Sequence, residues 1–410
     1  MRNPVSLTGL IVGAVAAIAL LVSTPATAQH ETVLYNFGAN GALPLGGLIA
    51  DAKDNFYGTT YQGRGSYAFG TVFELMPAAG GGWTEAVLHT FGRPGDGMNP
   101  QCTLIFDKAG NLYGTTFFGG RGGNGVVFEL SPATDGSWTE TILHSFANDG
   151  KDGLQPVGGL IFDASGNLYG TTTSGGTLGL GAVFELQPAP GGLWTEKIIY
   201  SFGLVPDGDT PTGSLVLDSS GNLYGTTALG GINGTGTVFE LKAGAGGTWA
   251  ERILHTFGSG QAGDGASVSP GVVLDASGNL YGTTSYGGAN LGGTVFELSP
   301  SPSGQWQEEI LLNCLYTGRS PQFPTAGVVL DALGNIYATT DKGGSFGAGT
   351  VLELKNAGHG KWLPDVLQNF NGSDGANPFA SLILDQAGNL YGTTYQGGTG
   401  GSGTVFEITP

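Results

Sequence analysis

The sequence predicts an all-β fold, a seven-bladed β-propeller of four-stranded antiparallel blades whose ring is closed by the N-terminal strand. Three observations carry this. A unit of about 56 residues recurs seven times, each unit holds four strand-sized segments bounded by turn residues, and the two chain ends hold complementary fragments of one unit.

The repeat is defined by three segments. Gly-Asn-Leu-Tyr-Gly-Thr-Thr, or a close variant, places its Asn at Asn55, Asn111, Asn167, Asn222, Asn279, Asn335 and Asn389, at spacings of 56, 56, 55, 57, 56 and 54. Gly-Thr-Val-Phe-Glu-Leu follows each copy, with Glu74, Glu129, Glu185, Glu240, Glu297, Glu353 and Glu407. Trp-x-Glu-x-x-Leu-x-x-Phe comes third and accounts for all six tryptophans, from Trp83 to Trp362.

The elements of one unit follow in order. The first strand is a short apolar run ending in Asp, as in Leu160-Ile161-Phe162-Asp163. The next Asp-x-x-Gly-Asn is a tight turn, because Asp accepts from backbone N–H groups two residues on, while Gly and Asn tolerate positive φ. The second strand is Asn-Leu-Tyr-Gly-Thr-Thr, and its Gly implies close approach of a neighbouring group. A Gly-Gly loop leads to the third strand, Thr-Val-Phe-Glu-Leu, with period-two alternation. The fourth is rich in Trp, Ile, Leu and Phe. A parallel β-helix is the alternative, but its coils are shorter and lack four turns per repeat.

The chain ends point to ring closure. Glu31-Thr32-Val33-Leu34-Tyr35-Asn36-Phe37 matches a fourth strand without its Trp, and Gly403-Thr404-Val405-Phe406-Glu407-Ile408 is a third strand. Pairing them completes blade 7 and removes two sheet edges that would otherwise template aggregation. No internal domain boundary is expected in 29–410.

Residues 1–28 have the pattern of an export signal: Arg2, an apolar run from Leu7 to Val22, and Ala26-Thr27-Ala28 as a cleavage site. No later segment is long enough to span a membrane, so a secreted product, extracellular or periplasmic, is expected. The net charge of −18 becomes −19 without Arg2. Such a surface repels nucleic acid and anionic lipid, which are bound through Lys and Arg. Cys102 and Cys314 fall on an inner strand of blade 2 and an outer strand of blade 5. That is too far apart for a disulfide, so two free, buried thiols are expected.

The repeated unit resembles the GloVer repeat of bacterial choice-of-anchor tandem repeat GloVer-containing proteins. The similarity runs from about residue 31 to 408 in seven copies. It implies an exported, cell-surface or extracellular protein. A C-terminal anchoring segment is common in that family; this chain ends inside blade 7, so anchoring is not expected from it. The resemblance implies no catalytic residues.

Residues present in every repeat are expected to serve the blade. The Asp series (Asp51, Asp107, Asp163, Asp218, Asp275, Asp331, Asp385) is assigned to hairpin turns, and the Glu series of the third strand to cross-strand pairing. His89, His144 and His255 share one outer-strand position with Tyr35 and Tyr200. On three separate blades they cannot converge on one zinc ion, and half-buried structural roles are expected. No metal or other cofactor is assigned. The Asp-Gly-x-x-Pro loops, such as Asp96-Gly97-Met98-Asn99-Pro100, offer oxygens that could hold calcium, but turn chemistry alone accounts for them.

The loops before the first strand and after the second are expected to meet on one face. The second class varies most between repeats, and variable loops on a rigid scaffold are where binding usually sits. The candidate ligand-binding residues are Tyr61, Gln62, Arg64, Tyr67, Phe117, Phe118, Arg121, Tyr286, Asp341, Lys342, Tyr395 and Gln396. Aromatics mixed with amides and Arg suit a glycan or a surface protein. A monomeric, non-catalytic binding or scaffold module is therefore expected. The alternative is a carbohydrate-active enzyme, a glycoside hydrolase or polysaccharide lyase, and a third possibility is a ligand-free envelope protein.

Overall fold

The computed structural model describes residues 30–38, 40–63, 69–260 and 263–409. The proposed signal, residues 1–28, lies outside them. The described residues contain strands and no helix.

Blade 2 shows the common plan. Its strands Ile105–Phe106, Leu112–Thr116, Val126–Pro132 and Trp138–Ser145 pair antiparallel in sequence order. The second strand is buried at all five residues, whereas the fourth has no fully buried position except its flanking Phe146. The second strand is therefore packed by neighbouring blades on both faces, and the fourth forms the rim.

The turn and strand motifs do what their chemistry implied. In blade 3, Asp163 Oδ1 accepts from the N–H groups of Ser165 and Asn167 at 2.8 and 2.9 Å, and Oδ2 accepts from Asn167 Nδ2 at 2.8 Å. The Tyr169 hydroxyl lies 3.3 Å from Asp163 Oδ2 and donates to Glu185 Oε1 at 2.9 Å. The repeated Asp and Glu thus flank one tyrosine. The strand glycine is also accounted for: a Cβ on Gly170 would sit 2.5 Å from Phe184 Cζ, directly across the ladder. Blade 6 varies both partners together, with Ala338 opposite Leu352.

The core lies between blades. Each of seven apolar clusters draws on two consecutive blades, and the closing one joins Phe37, Phe56 and Phe73 to Tyr391 and Val405. At six junctions the fourth-strand Phe of one blade meets the third-strand Phe of the next, as Phe146 meets Phe184 at 5.3 Å. Burying each such ring stabilises the fold by roughly 1.5–3 kcal/mol.

The N-terminal strand His30–Asn36 pairs antiparallel with Thr404–Thr409, from His30 opposite Thr409 to Asn36 opposite Thr404. Closure repeats around the axis. The first Thr of each Gly-Thr-Thr donates to a carbonyl at the start of the next blade: Thr59 to Cys102, Thr115 to Gly158, and so on to Thr393, which reaches Gly46 at 3.4 Å. The second Thr bonds within its own blade, as Thr116 Oγ1 does to the Phe118 carbonyl. The motif therefore holds both the ring and the loop after strand 2.

The two loop classes meet as expected. Short ladders join the segment before each first strand to the end of the second, for example Gly97–Met98 with Phe118–Gly119. In blades 4 to 6 the second strand is long enough to pair with both pieces, as Leu223–Gly230 does with Gly208–Pro211 and Val216–Leu217. We call this side of the disc the ladder face. Cys102 and Cys314 are free and buried, and burial pushes the Cys314 thiol up to about 12, so it is unreactive at neutral pH.

Candidate functional site

The rim carries a device built from two neighbouring repeats. Its first member sits on a fourth strand, its second is the Asp of the following Asp-Gly loop, and its third is the Glu of the next blade's Trp-x-Glu. Between blades 3 and 4, Tyr200 donates to Asp207 Oδ2 at 2.8 Å, beside Glu251. Between blades 7 and 1, Tyr35 and Asn40 both donate to Glu85 Oε2. Between blades 6 and 7, Gln368 donates to Asp374, beside Glu31.

The three recurrent histidines fill the same place. They are half-buried and do not converge on one another; instead each meets its own Asp and Glu. The sets are His89–Asp96–Glu140, His144–Asp152–Glu196 and His255–Asp264–Glu308. Sequence reasoning placed the histidines correctly but missed these partners. The available signal was the joint occurrence of Trp-x-Glu and Asp-Gly at one repeat spacing.

Burial, then a neighbouring carboxylate, raises Glu31, Glu140, Glu196, Glu251 and Glu308 above the usual carboxylate range. Glu251 is raised to about 7 by burial and then by Asp207. Glu140 reaches about 8 through burial, Asp96 and a hydrogen bond between the two acids. Burial alone would also raise Asp96, but the adjacent His89 and Glu140 outweigh it and hold it low. At the Asp96–Glu140 pair the proton therefore rests on the Glu, with Asp96 ionised. The loop carboxylates also cap their own turns: Asp96 accepts from the N–H groups of Gly92 and Gly97, and Asp207 from those of Gly203 and Gly208. This is the turn chemistry expected of Asp-Gly.

Between blades 1 and 2 the device opens into a cleft of about 1000 Å³, lined by His89, Asp96, Glu140, His144, Arg93 and Arg121. A second cavity, of about 410 Å³, lies on the axis where the leading segments of all seven blades meet. Gly-Gly pairs, Thr103, Ser214 and Ser381 line it, with no charged side chain among its described lining residues.

The ladder face has a feature that sequence reasoning did not find. Leu43, Asn99, Gln155, Thr210, Ser267, Phe323 and Asn377 all hold positive φ, between 54° and 61°. They are equivalent positions, the second x of Asp-Gly-x-x-Pro. Only Asn is at ease there; Thr and Phe are strained, at a cost of order 1–3 kcal/mol each. The backbone is constant while the side chain differs at nearly every copy.

The proposed ligand-binding residues surround this ring without forming one patch. Tyr61 is half-buried and its carbonyl accepts from Asn99 Nδ2 at 2.9 Å, while Gln62 is exposed. Arg64 and Tyr67 lie outside the described residues. Phe117 and Phe118 are half-buried and stack edge-to-face at 4.5 Å, while Arg121 is exposed at the blade 1–2 cleft. Asp341 is half-buried and accepts from Asn377 at 2.8 Å, with Lys342 exposed beside it. Tyr395 packs on Phe379 at 5.4 Å, and Gln396 is exposed but its backbone is bonded to Ala376. Tyr286 stands apart. It is 54% exposed and stacks at 5.2 Å on Phe323, which also contacts Tyr316, itself 57% exposed.

These features define a closed seven-bladed propeller whose blades share one plan and whose variation is concentrated on one face. The chain matches the Gloeobacter/Verrucomicrobia repeat over residues 19–216, 135–311 and 302–410, and it belongs to that family. No curated protein matches it. Among solved structures it is similar to PorZ, a bacterial surface component of the type-IX secretion system of Porphyromonas gingivalis. That match has 15% identity and a TM-score of 0.56, covering 91% of this chain and 47% of PorZ, so this chain spans about half of that protein. A putative 6-phosphogluconolactonase from Bacteroides uniformis gives 13% identity and a TM-score of 0.51, covering 79% and 83% of the two chains. The periplasmic gluconolactonase PpgL of Pseudomonas aeruginosa gives 15% and 0.50, covering 80% and 85%. At these identities the likeness is one of fold.

Proposed function

We propose that this protein is an exported, non-catalytic binding module that recognises a glycan through its ladder face, with a cell-surface protein as the alternative ligand. The observation that carries the proposal is the ring of positive-φ residues, where a strained backbone is kept and the side chain is varied. Strain of this kind persists where the surrounding structure enforces it, and it collects at binding and switch sites. Tyr286 and Tyr316 on Phe323 are the leading contact points, because exposed aromatic faces with hydroxyl edges suit sugar rings.

Export is supported by the 1–28 signal pattern and agrees with the surface location of PorZ. The acidic chain of 29–410, whose described residues include no helix long and apolar enough to cross a membrane, then acts as one monomeric unit. A glycan array with that chain tests the proposal. Saturable binding lost in Tyr286→Ala with Tyr316→Ala is expected; binding unaffected by that pair would remove the ladder face from consideration.

One observation favours a second reading, a carbohydrate-active enzyme. In the blade 1–2 cleft, Glu140 holds a proton beside an ionised Asp96, which is the pairing an acid–base mechanism uses. Its weakness is that the same device recurs at other junctions. Polysaccharide turnover abolished by Glu140→Gln in a folded chain would establish it.

A further inference from the structure

The junction between blades 4 and 5 differs from those between blades 2 and 3 and between blades 3 and 4 in how its polar atoms are disposed. Between blades 3 and 4 the Tyr200 hydroxyl closes directly on Asp207 at 2.8 Å, and between blades 2 and 3 His144 Nε2 lies 3.0 Å from Asp152 Oδ2. His255 Nε2 instead stands 3.6 Å from Asp264 Oδ1 and 3.7 Å from Glu308 Oε1. Both distances are too long for a good hydrogen bond. All three atoms are buried, and none has a hydrogen-bond partner among the described residues. The Asp264 side chain is only 5% exposed. Its other oxygen accepts the Ser259 N–H at 2.6 Å, which keeps Oδ1 turned toward the ring. The His255 ring is itself braced edge-on by Phe257 at 4.5 Å.

We propose that this junction is a divalent-cation site of the zinc class, with His255 Nε2, Asp264 Oδ1 and Glu308 Oε1 as protein ligands and water completing the shell. Ligand bonds of about 2.0–2.2 Å at tetrahedral angles put neighbouring N and O atoms roughly 3.4 Å apart. The two separations from His255 Nε2 need to contract by only a few tenths of an ångström, and all three atoms lie within 4.8 Å of one another. A dication neutralises two carboxylates that otherwise repel in a buried place, and the imidazole nitrogen favours zinc-like ions over calcium, which takes six to eight oxygens. The equivalent His89 set is less suited, because Gly92, Arg93 and Gly97 N–H groups already occupy both Asp96 oxygens.

The test exploits the protein's own variation. Tyr stands at this position in blades 3 and 7, so His255→Tyr preserves the junction while removing a ligand. Glu308→Gln similarly keeps a hydrogen-bond donor but loses the anion. The untagged chain is dialysed against zinc, passed through gel filtration and assayed for retained metal by mass spectrometry, with circular dichroism as the folding control. The wild-type chain is expected to keep about one equivalent more than His255→Tyr, and Glu308→Gln to bind at least tenfold more weakly. A wild-type chain that keeps no zinc, or either folded variant keeping as much as wild type, overturns the proposal. Should His255→Tyr fail to fold, Glu308→Gln alone decides it.

Discussion

Between blades 4 and 5, Phe257 packs on Phe296 at 5.0 Å and Gly282 makes room for that ring, while His255, Asp264 and Glu308 occupy the rim. Between blades 5 and 6 every one of these positions differs. Cys314 and Leu352 replace the two Phe residues and Ala338 the Gly, all three still buried. At the rim, Leu312, Ser320 and Pro364 take the places of His, Asp and Glu, and Pro321 replaces the ladder glycine. The changes come in sets. A Gly with a smaller facing side chain can become Ala, and a rim without its carboxylates has no use for a donor. The core set and the rim set are therefore each one physical unit, divided between two repeats.

The contrast can be broken most severely at the closing junction. Removing residues 29–38 takes away Phe37 and bares the edge of Thr404–Thr409. Loss of the soluble, folded species on gel filtration is expected; a stable deletion variant would mean that closure contributes little. Gly282→Ala comes next. Its Cβ would lie 2.6 Å from Phe296 Cζ, and overpacking of this kind costs about 1–3 kcal/mol. Adding Phe296→Leu copies the blade 6 solution. In denaturant titrations the double variant should be more stable than the sum of the single changes by about 1 kcal/mol.

The rim sets should differ in their response to pH. Glu251 is near 4.5 when unfolded and about 7 in the fold, raised by burial and Asp207. The fold thus holds a proton that the unfolded chain releases. That contribution is complete below about pH 4.5 and is lost as pH rises through 7. Glu31, Glu140, Glu196 and Glu308 are raised in the same sense. With chelator present, the melting temperature should fall between pH 5 and pH 8, and Glu251→Gln should remove about a fifth of the slope. No such titration exists at Leu312, Ser320 and Pro364. The smallest effect is expected at Tyr286→Ala, within about 0.5 kcal/mol of wild type, because that ring is mostly exposed. A larger loss would make the tyrosine part of the blade rather than a contact for ligand.

Much of the architecture was legible because each signal lay within one repeat. Asp163, Gly166 and Asn167 spell out their own turn, and Glu31 to Phe37 declare themselves a fourth strand. The rim sets were not legible in that way. His255, Asp264 and Glu308 belong to two units, and each alone is unremarkable. The ring of positive φ was hidden for another reason: Gly or Asn at every copy would have announced it, but beside Asn99 and Asn377 stand Leu43, Thr210 and Phe323, which carry no such mark. Tyr61 and Phe117 were expected to be contact residues, yet they are half-buried because the loop after strand 2 folds down against the leading segments. Tyr286 remains outside because Phe323 supports it from below.

The antiparallel pairing of His30–Asn36 with Thr404–Thr409 has a consequence for orientation. His30 and Thr409 are opposite one another, so the described chain enters and leaves at the same edge, on the side of the Asp turns. The ladder face is the other side. Whatever holds the molecule by either end would present the ladder face, with its ring of seven variable positions, outward, like the dial of a watch fastened by its back.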